Sequence, residues 1–121
     1  MNTNYKTIFG GAALSERVAI YVPGTCGPAT ADAALADSMT ARAAARLSEL
    51  FGGATISVAA GAWMSDTHGL IREAVNIVYS YCTPAQLNDH ARDVLALAQE
   101  VKREMAQEAV SVEVNSSLYL I

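Results

Sequence analysis

Alternating apolar runs, two amphipathic stripes at helical spacing and one strong helix-start signal predict an α+β chain with the element order β-α-β-β-α-β. This is the ferredoxin-like, split βαβ arrangement, a four-stranded antiparallel sheet with two helices on one face. Either terminus could add an edge strand. The 121 residues suit one domain. Residues 1–14 form an N-terminal arm or edge strand, 15–115 the core and 116–121 an apolar tail.

The first strand is Arg17 to Val22, where Val18, Ile20 and Val22 alternate with Arg17, Ala19 and Tyr21. Pro23-Gly24 ends it, and a loop holding Gly27 and Pro28 follows. A helix then runs from Thr30 or Asp32 to Phe51, with Leu35, Met39, Ala43, Leu47 and Leu50 on one stripe and Gly52-Gly53 as its stop. A hairpin comes next, Ala54 to Met64 and Leu70 to Cys82, joined by the turn Ser65-Asp66-Thr67-His68-Gly69. In its second strand Val75, Ile77, Tyr79 and Tyr81 share one face, expected to be the inner one.

Thr83, Pro84 and Gln86 make a capping box at the start of the second helix. Asp89 and Asp93 lie toward its positive end, Lys102 and Arg103 toward its negative end. The last strand is Ala109 to Asn115, and the tail Leu118 to Ile121 is apolar enough to pack or pair.

Composition narrows the function classes. Hydrophobic residues make up 52% and charged ones 17%, which excludes a disordered chain. No apolar run approaches the roughly 18 residues of a membrane span. The start Met1-Asn2-Thr3-Asn4 lacks the order of a secretory signal, so a cytoplasmic chain is expected. A net charge of −4 argues against direct nucleic-acid binding, and the aromatic RNP-like pattern is absent. Cys26 and Cys82 lie far apart without CxxC spacing, so reduced thiols are expected, with no metal and no cofactor.

The sheet face away from the helices is expected to carry Arg17, Ala19 and Tyr21; Thr55, Ser57, Ala59, Gly61 and Trp63; Arg72, Ala74, Asn76, Val78 and Ser80; and Ser111 and Glu113. It is poor in charge, which suggests a cover, most simply a second copy in a homodimer. Trp63 and Glu73 flank the hairpin turn and approach one another near its tip. Alternation with Val75 and Ile77 places Glu73 inward, where desolvation would push its pKa upward, and a carboxylate beside an indole can polarise a ligand or act as a base. The plainer reading pairs Glu73 with Arg72 or a helix end. Glu108 could approach the same region. His68 and His90 read as solvated, and Cys82 as a buried thiol, although a helix start can acidify a cysteine. No catalytic residue is assigned. The ligand- or partner-binding candidates are Trp63, Glu73, Tyr21, Arg72 and Asn76.

The segments Gly61-Ala62-Trp63, Gly69-Leu70-Ile71-Arg72-Glu73 and Gln107-Glu108-Ala109-Val110 resemble a family of small uncharacterised bacterial proteins with a Gly-x-Trp, Gly-x-x-x-Glu, Gln-Glu-x-Val pattern. The likeness runs from Leu47 to Val114. It implies a ferredoxin-like domain and transfers no activity.

Two functions are weighed. The favoured one is a non-enzymatic interaction module docking on a host protein, by analogy with small acidic anti-CRISPR and other anti-defence inhibitors of phages and plasmids. The alternative is a small-molecule-binding domain or minor enzyme with a pocket near Trp63, Glu73 and Tyr79. A closed, partly apolar pocket containing Glu73 would favour the second.

Overall fold

The structure, a computed structural model, describes residues 3–24 and 33–121. Cys26 and the expected helix start at Thr30 or Asp32 lie outside the described residues. The elements in order are α1 (Tyr5–Phe9), β1 (Glu16–Pro23), α2 (Ala33–Phe51), β2 (Thr55–Ser65), β3 (Gly69–Cys82), α3 (Pro84–Glu104), β4 (Ser111–Val114) and β5 (Ser117–Leu120). The five strands form one antiparallel sheet in the order β2-β3-β1-β4-β5.

Helices α2 and α3 cover one face of that sheet. Val18, Ile20 and Val22 of β1, Val78 and Cys82 of β3 and Val112 of β4 are buried there, with Met39, Ala43 and Leu47 of α2 and Leu97, Ala98 and Val101 of α3. Each large aliphatic chain so buried contributes about 1.5–3 kcal/mol. The capping box forms as its sequence predicts. Thr83 Oγ1 accepts from the Gln86 backbone N–H at 3.1 Å, and Gln86 Oε1 accepts from the Thr83 N–H at 2.9 Å. Ion pairs of Arg42 with Glu100 and Arg46 with Asp93 clamp the exposed seam between the helices. No helix among the described residues is long and apolar enough to cross a membrane.

The two faces of β3 are the reverse of those expected. The register sets Val18 opposite Ser80, Ile20 opposite Val78 and Val22 opposite Asn76. Directly paired residues share a face, so β1 carries Asn76, Val78, Ser80 and Cys82 to the helix side. Val75, Ile77, Tyr79 and Tyr81 therefore lie on the open side. Both faces of β3 hold apolar residues, and the bulkier set looked like the core set. The space beneath the helices instead takes the smaller chains, and its polar members are satisfied. Ser80 Oγ donates to Gly53 O at 2.6 Å, Asn76 Nδ2 donates to Thr40 Oγ1 at 3.0 Å, and Thr40 Oγ1 donates to Ala36 O at 2.7 Å.

The termini differ from one another. The apolar tail pairs as β5, after a turn in which Asn115 takes a positive φ of 54°. The Asn115 side chain pins that turn by accepting from the Arg17 backbone N–H at 2.9 Å. The N-terminal arm is a short helix rather than a strand. Asn4 Oδ1 caps it through the Thr7 N–H at 3.1 Å, and Gly10 ends it at φ 69°. Ile8 and Phe9 of this arm stay exposed, so it does not bury them against its own chain.

Candidate active site on the open sheet face

The β3 phase decides which candidates meet. Glu73 pairs with Gly61 across the hairpin, and Trp63 pairs with Ile71. Trp63 and Glu73 are therefore diagonal neighbours on one face, within reach of a long side chain. Gly61 has no side chain to separate them. Trp63 Nε1 donates to Glu73 Oε1 at 3.3 Å, so the expected approach of indole and carboxylate occurs. Glu73 is half-buried on the open face, however, and not inward as its alternation with Val75 suggested.

Arg72 and Asn76 do not join them. Both lie on the helix side of β3, where Asn76 is held by Thr40 and Arg72 is exposed beyond the helices. The two leave the candidate site for the same reason: the phase of β3 is one residue from that expected.

Tyr21 does face the open side, and it has a partner the sequence reading missed. Its hydroxyl donates to Glu113 Oε1 at 2.9 Å, while Arg17 Nε donates to Glu113 Oε2 at 3.2 Å. The Arg17 guanidinium lies 4.0 Å from the centre of the Tyr79 ring. Glu113 sits opposite Ala19, between Arg17 and Tyr21 on the neighbouring strand. The signal was present, since alternation had placed Arg17, Tyr21 and Glu113 on this face. What was lacking was the pairing of β1 with β4.

Between Glu73 and Tyr21, the partner of Glu113, runs a groove of about 340 Å³ whose lining includes both residues with Ala59, Gly61, Val75 and Ile77. Tyr21 opposes Ile77, four residues along β3 from Glu73, which spans about 13 Å at the usual strand rise. The floor is apolar and the ends are polar. Their charges differ. Arg17 neutralises Glu113, whereas among the described residues Glu73 has an indole N–H and no ion pair. Glu73 is the anionic end.

The other candidates lie apart. Glu108 is exposed and does not line the groove, although Gln107 and Ser111 do. His68 is in the hairpin turn against Thr67, and His90 is on α3 against Asp93. Burial, with the nearby Glu16 charge, pushes the Cys82 thiol up, consistent with a structural cysteine.

The Glu113 hydrogen bond, followed by burial and the carboxylate charge, raises the Tyr21 hydroxyl above its ordinary value of 10.0. A group whose proton the fold retains stabilises the fold fully below its unfolded value. That contribution disappears as pH rises through the higher folded value. Tyr21→Phe should therefore cost about 1 kcal/mol near neutrality. It should also flatten the loss of stability above pH ~10, as measured by urea unfolding across alkaline pH. An unchanged alkaline slope would remove the Tyr21–Glu113 bond from this account.

No protein-family model and no curated protein sequence matches the chain. Solved structures do match. A phage SAM lyase in complex with S-methyl-5'-thioadenosine superposes with a TM-score of 0.58 at 18% identity, covering 88% of each chain. The apo state of a phage SAM lyase gives 0.59 at 18% identity, covering 88% of this chain and 87% of the other. The chain thus shares an α+β fold with an enzyme. That finding overturns the favoured sequence reading of a non-enzymatic module docking on a host protein and turns attention to the groove.

Proposed function

We propose that this chain is an enzyme that binds S-adenosylmethionine in the open-face groove and cleaves it as a lyase. The observation that carries the reading is the fold's likeness to a SAM lyase over 88% of both chains. In the same reading, β1 to β4 with α2 and α3 are a ferredoxin-like split βαβ core, and β5 is an added edge strand. The open face is given to a ligand rather than to a second copy.

The groove supplies the chemistry this substrate needs. S-adenosylmethionine carries a sulfonium, an α-ammonium and a carboxylate. The α-ammonium keeps its charge throughout the reaction, and the Glu73 carboxylate, which makes no ion pair among the described residues, suits it as a charge-assisted acceptor. The sulfonium has no proton to donate and loses its charge as its bond to the amino-acid chain breaks. A floor of Ala59, Val75 and Ile77 disfavours the charged reactant relative to the less charged transition state. S-methyl-5'-thioadenosine leaves with the bonding electron pair. Because a lyase adds no water, the four-carbon fragment closes a ring through its own carboxylate or gains a double bond by losing a proton.

Incubating the purified chain with S-adenosylmethionine and resolving the products by mass spectrometry tests the proposal. Formation of S-methyl-5'-thioadenosine without incorporation of solvent oxygen into the partner fragment supports it. Substrate surviving at the rate of its spontaneous decay overturns it.

A further inference from the structure

The N-terminal arm carries apolar side chains that its surroundings leave bare. Helix α1 has only five residues and buries none of them. Phe9 is 80% exposed and Ile8 63%, and the Tyr5 and Phe9 rings stack on each other at 6.3 Å. An isolated helix of this length is unstable in water and depends on packing against something else. The arm therefore needs a surface, and its attachment indicates which one. Leu14 lines a cavity of about 370 Å³ with Tyr79 and Tyr81, which the register sets on the open face. The root of the arm thus already lies beside the sheet face that holds the groove.

The connection is long enough to bring α1 over that groove. Six residues, Gly10 to Ser15, join α1 to β1, and extended they span about 20 Å. The near end of the groove is Tyr21, five residues along β1 from Glu16, which is about 17 Å at the usual strand rise. Gly10 has a φ of 69°, and a Cβ on Gly10 or Gly11 would meet nothing within 4 Å. The glycine pair is free of packing and can act as a hinge. The groove has an apolar floor and polar ends, and its remaining side is open. We infer that the arm closes over the occupied groove, with Ile8 and Phe9 supplying its roof. This rests on the proposed reading of the groove as a site for S-adenosylmethionine. The adenine of that substrate offers a flat face to the Phe9 ring, and closure sheds water from the sulfonium as its bond breaks.

Two measurements on the whole chain, both with S-methyl-5'-thioadenosine as the probe, test the inference. Hydrogen exchange should show the amides of residues 5–14 gaining protection when the probe is added. In calorimetry, the double substitution Ile8→Ser and Phe9→Ser should raise the dissociation constant roughly 10-fold, the scale of one lost aromatic contact. Its circular dichroism spectrum should be unchanged, because both positions are exposed and outside the core. Suppose instead that Val75 and Ile77 gain protection while the arm does not, and the double variant binds as wild type does. The arm is then no roof, and the groove reading stands. Arm protection that rises with protein concentration also overturns the inference, since the arm would then close on a neighbouring chain. A wild-type chain that binds no probe overturns the groove reading and the roof with it.

Discussion

In the proposed reaction, Glu73→Gln should lower kcat/KM for S-adenosylmethionine by about 100-fold, the scale of losing both a charged contact and the alignment it enforces. Glutamine keeps the shape and still accepts from the Trp63 indole, so the hairpin tip should hold together. Only the negative charge is removed. Thermal unfolding should shift little, because Glu73 is half-buried on an open face and makes no ion pair among the described residues. Trp63→Phe should lose roughly 10-fold, since it removes one hydrogen bond of about 1–1.5 kcal/mol and leaves the carboxylate. Steady-state kinetics on folded variants separate these outcomes. A Glu73→Gln chain with wild-type kcat/KM would show that this carboxylate does not hold substrate.

The second large effect lies on adjacent residues of one strand. Val78→Asp should abolish folding, whereas Ile77→Asp should leave a folded chain. Val78 is fully buried against the helices opposite Ile20, and a carboxylate there would have neither water nor a partner. Burying an unpartnered carboxylate costs several kcal/mol, and the lost Val78 packing adds to it, which together rivals the roughly 5–15 kcal/mol that keeps such a domain folded. Ile77 faces the groove, where an added carboxylate can reach water. Circular dichroism and urea titration of the two variants decide between the two phases of β3. Folded Val78→Asp with unfolded Ile77→Asp would restore the inner face expected from alternation.

These paired residues also show where local sequence stops being informative. The capping box at Thr83 and the apolar stripe of Leu47 and its neighbours determine helices from contacts within a few residues. Strand β1 was equally legible, because Val18, Ile20 and Val22 differ clearly from Arg17 and Tyr21. Strand β3 has apolar residues on both sides, so its period of two is visible while its phase is not. The phase comes from pairing with β1, residues brought together from far along the chain. Arg72 and Asn76 were misplaced with it. Trp63 and Glu73 were found because a tight hairpin is a local device. The Arg17–Glu113–Tyr21 cluster was not, because Glu113 lies over 90 positions from both Arg17 and Tyr21. Function was the least legible. A face poor in charge suits a docking surface and a ligand groove equally, and nothing local in the sequence separates the two.

Trp63 is the single tryptophan of the chain, so its indole N–H gives one unambiguous resonance in a nitrogen–proton NMR spectrum. Titration with S-methyl-5'-thioadenosine should move that resonance together with the backbone amides of Ala59, Gly61, Val75 and Ile77. Shifts confined to α2 and α3, or none at saturating ligand, would place the binding site off the open face and contradict the account.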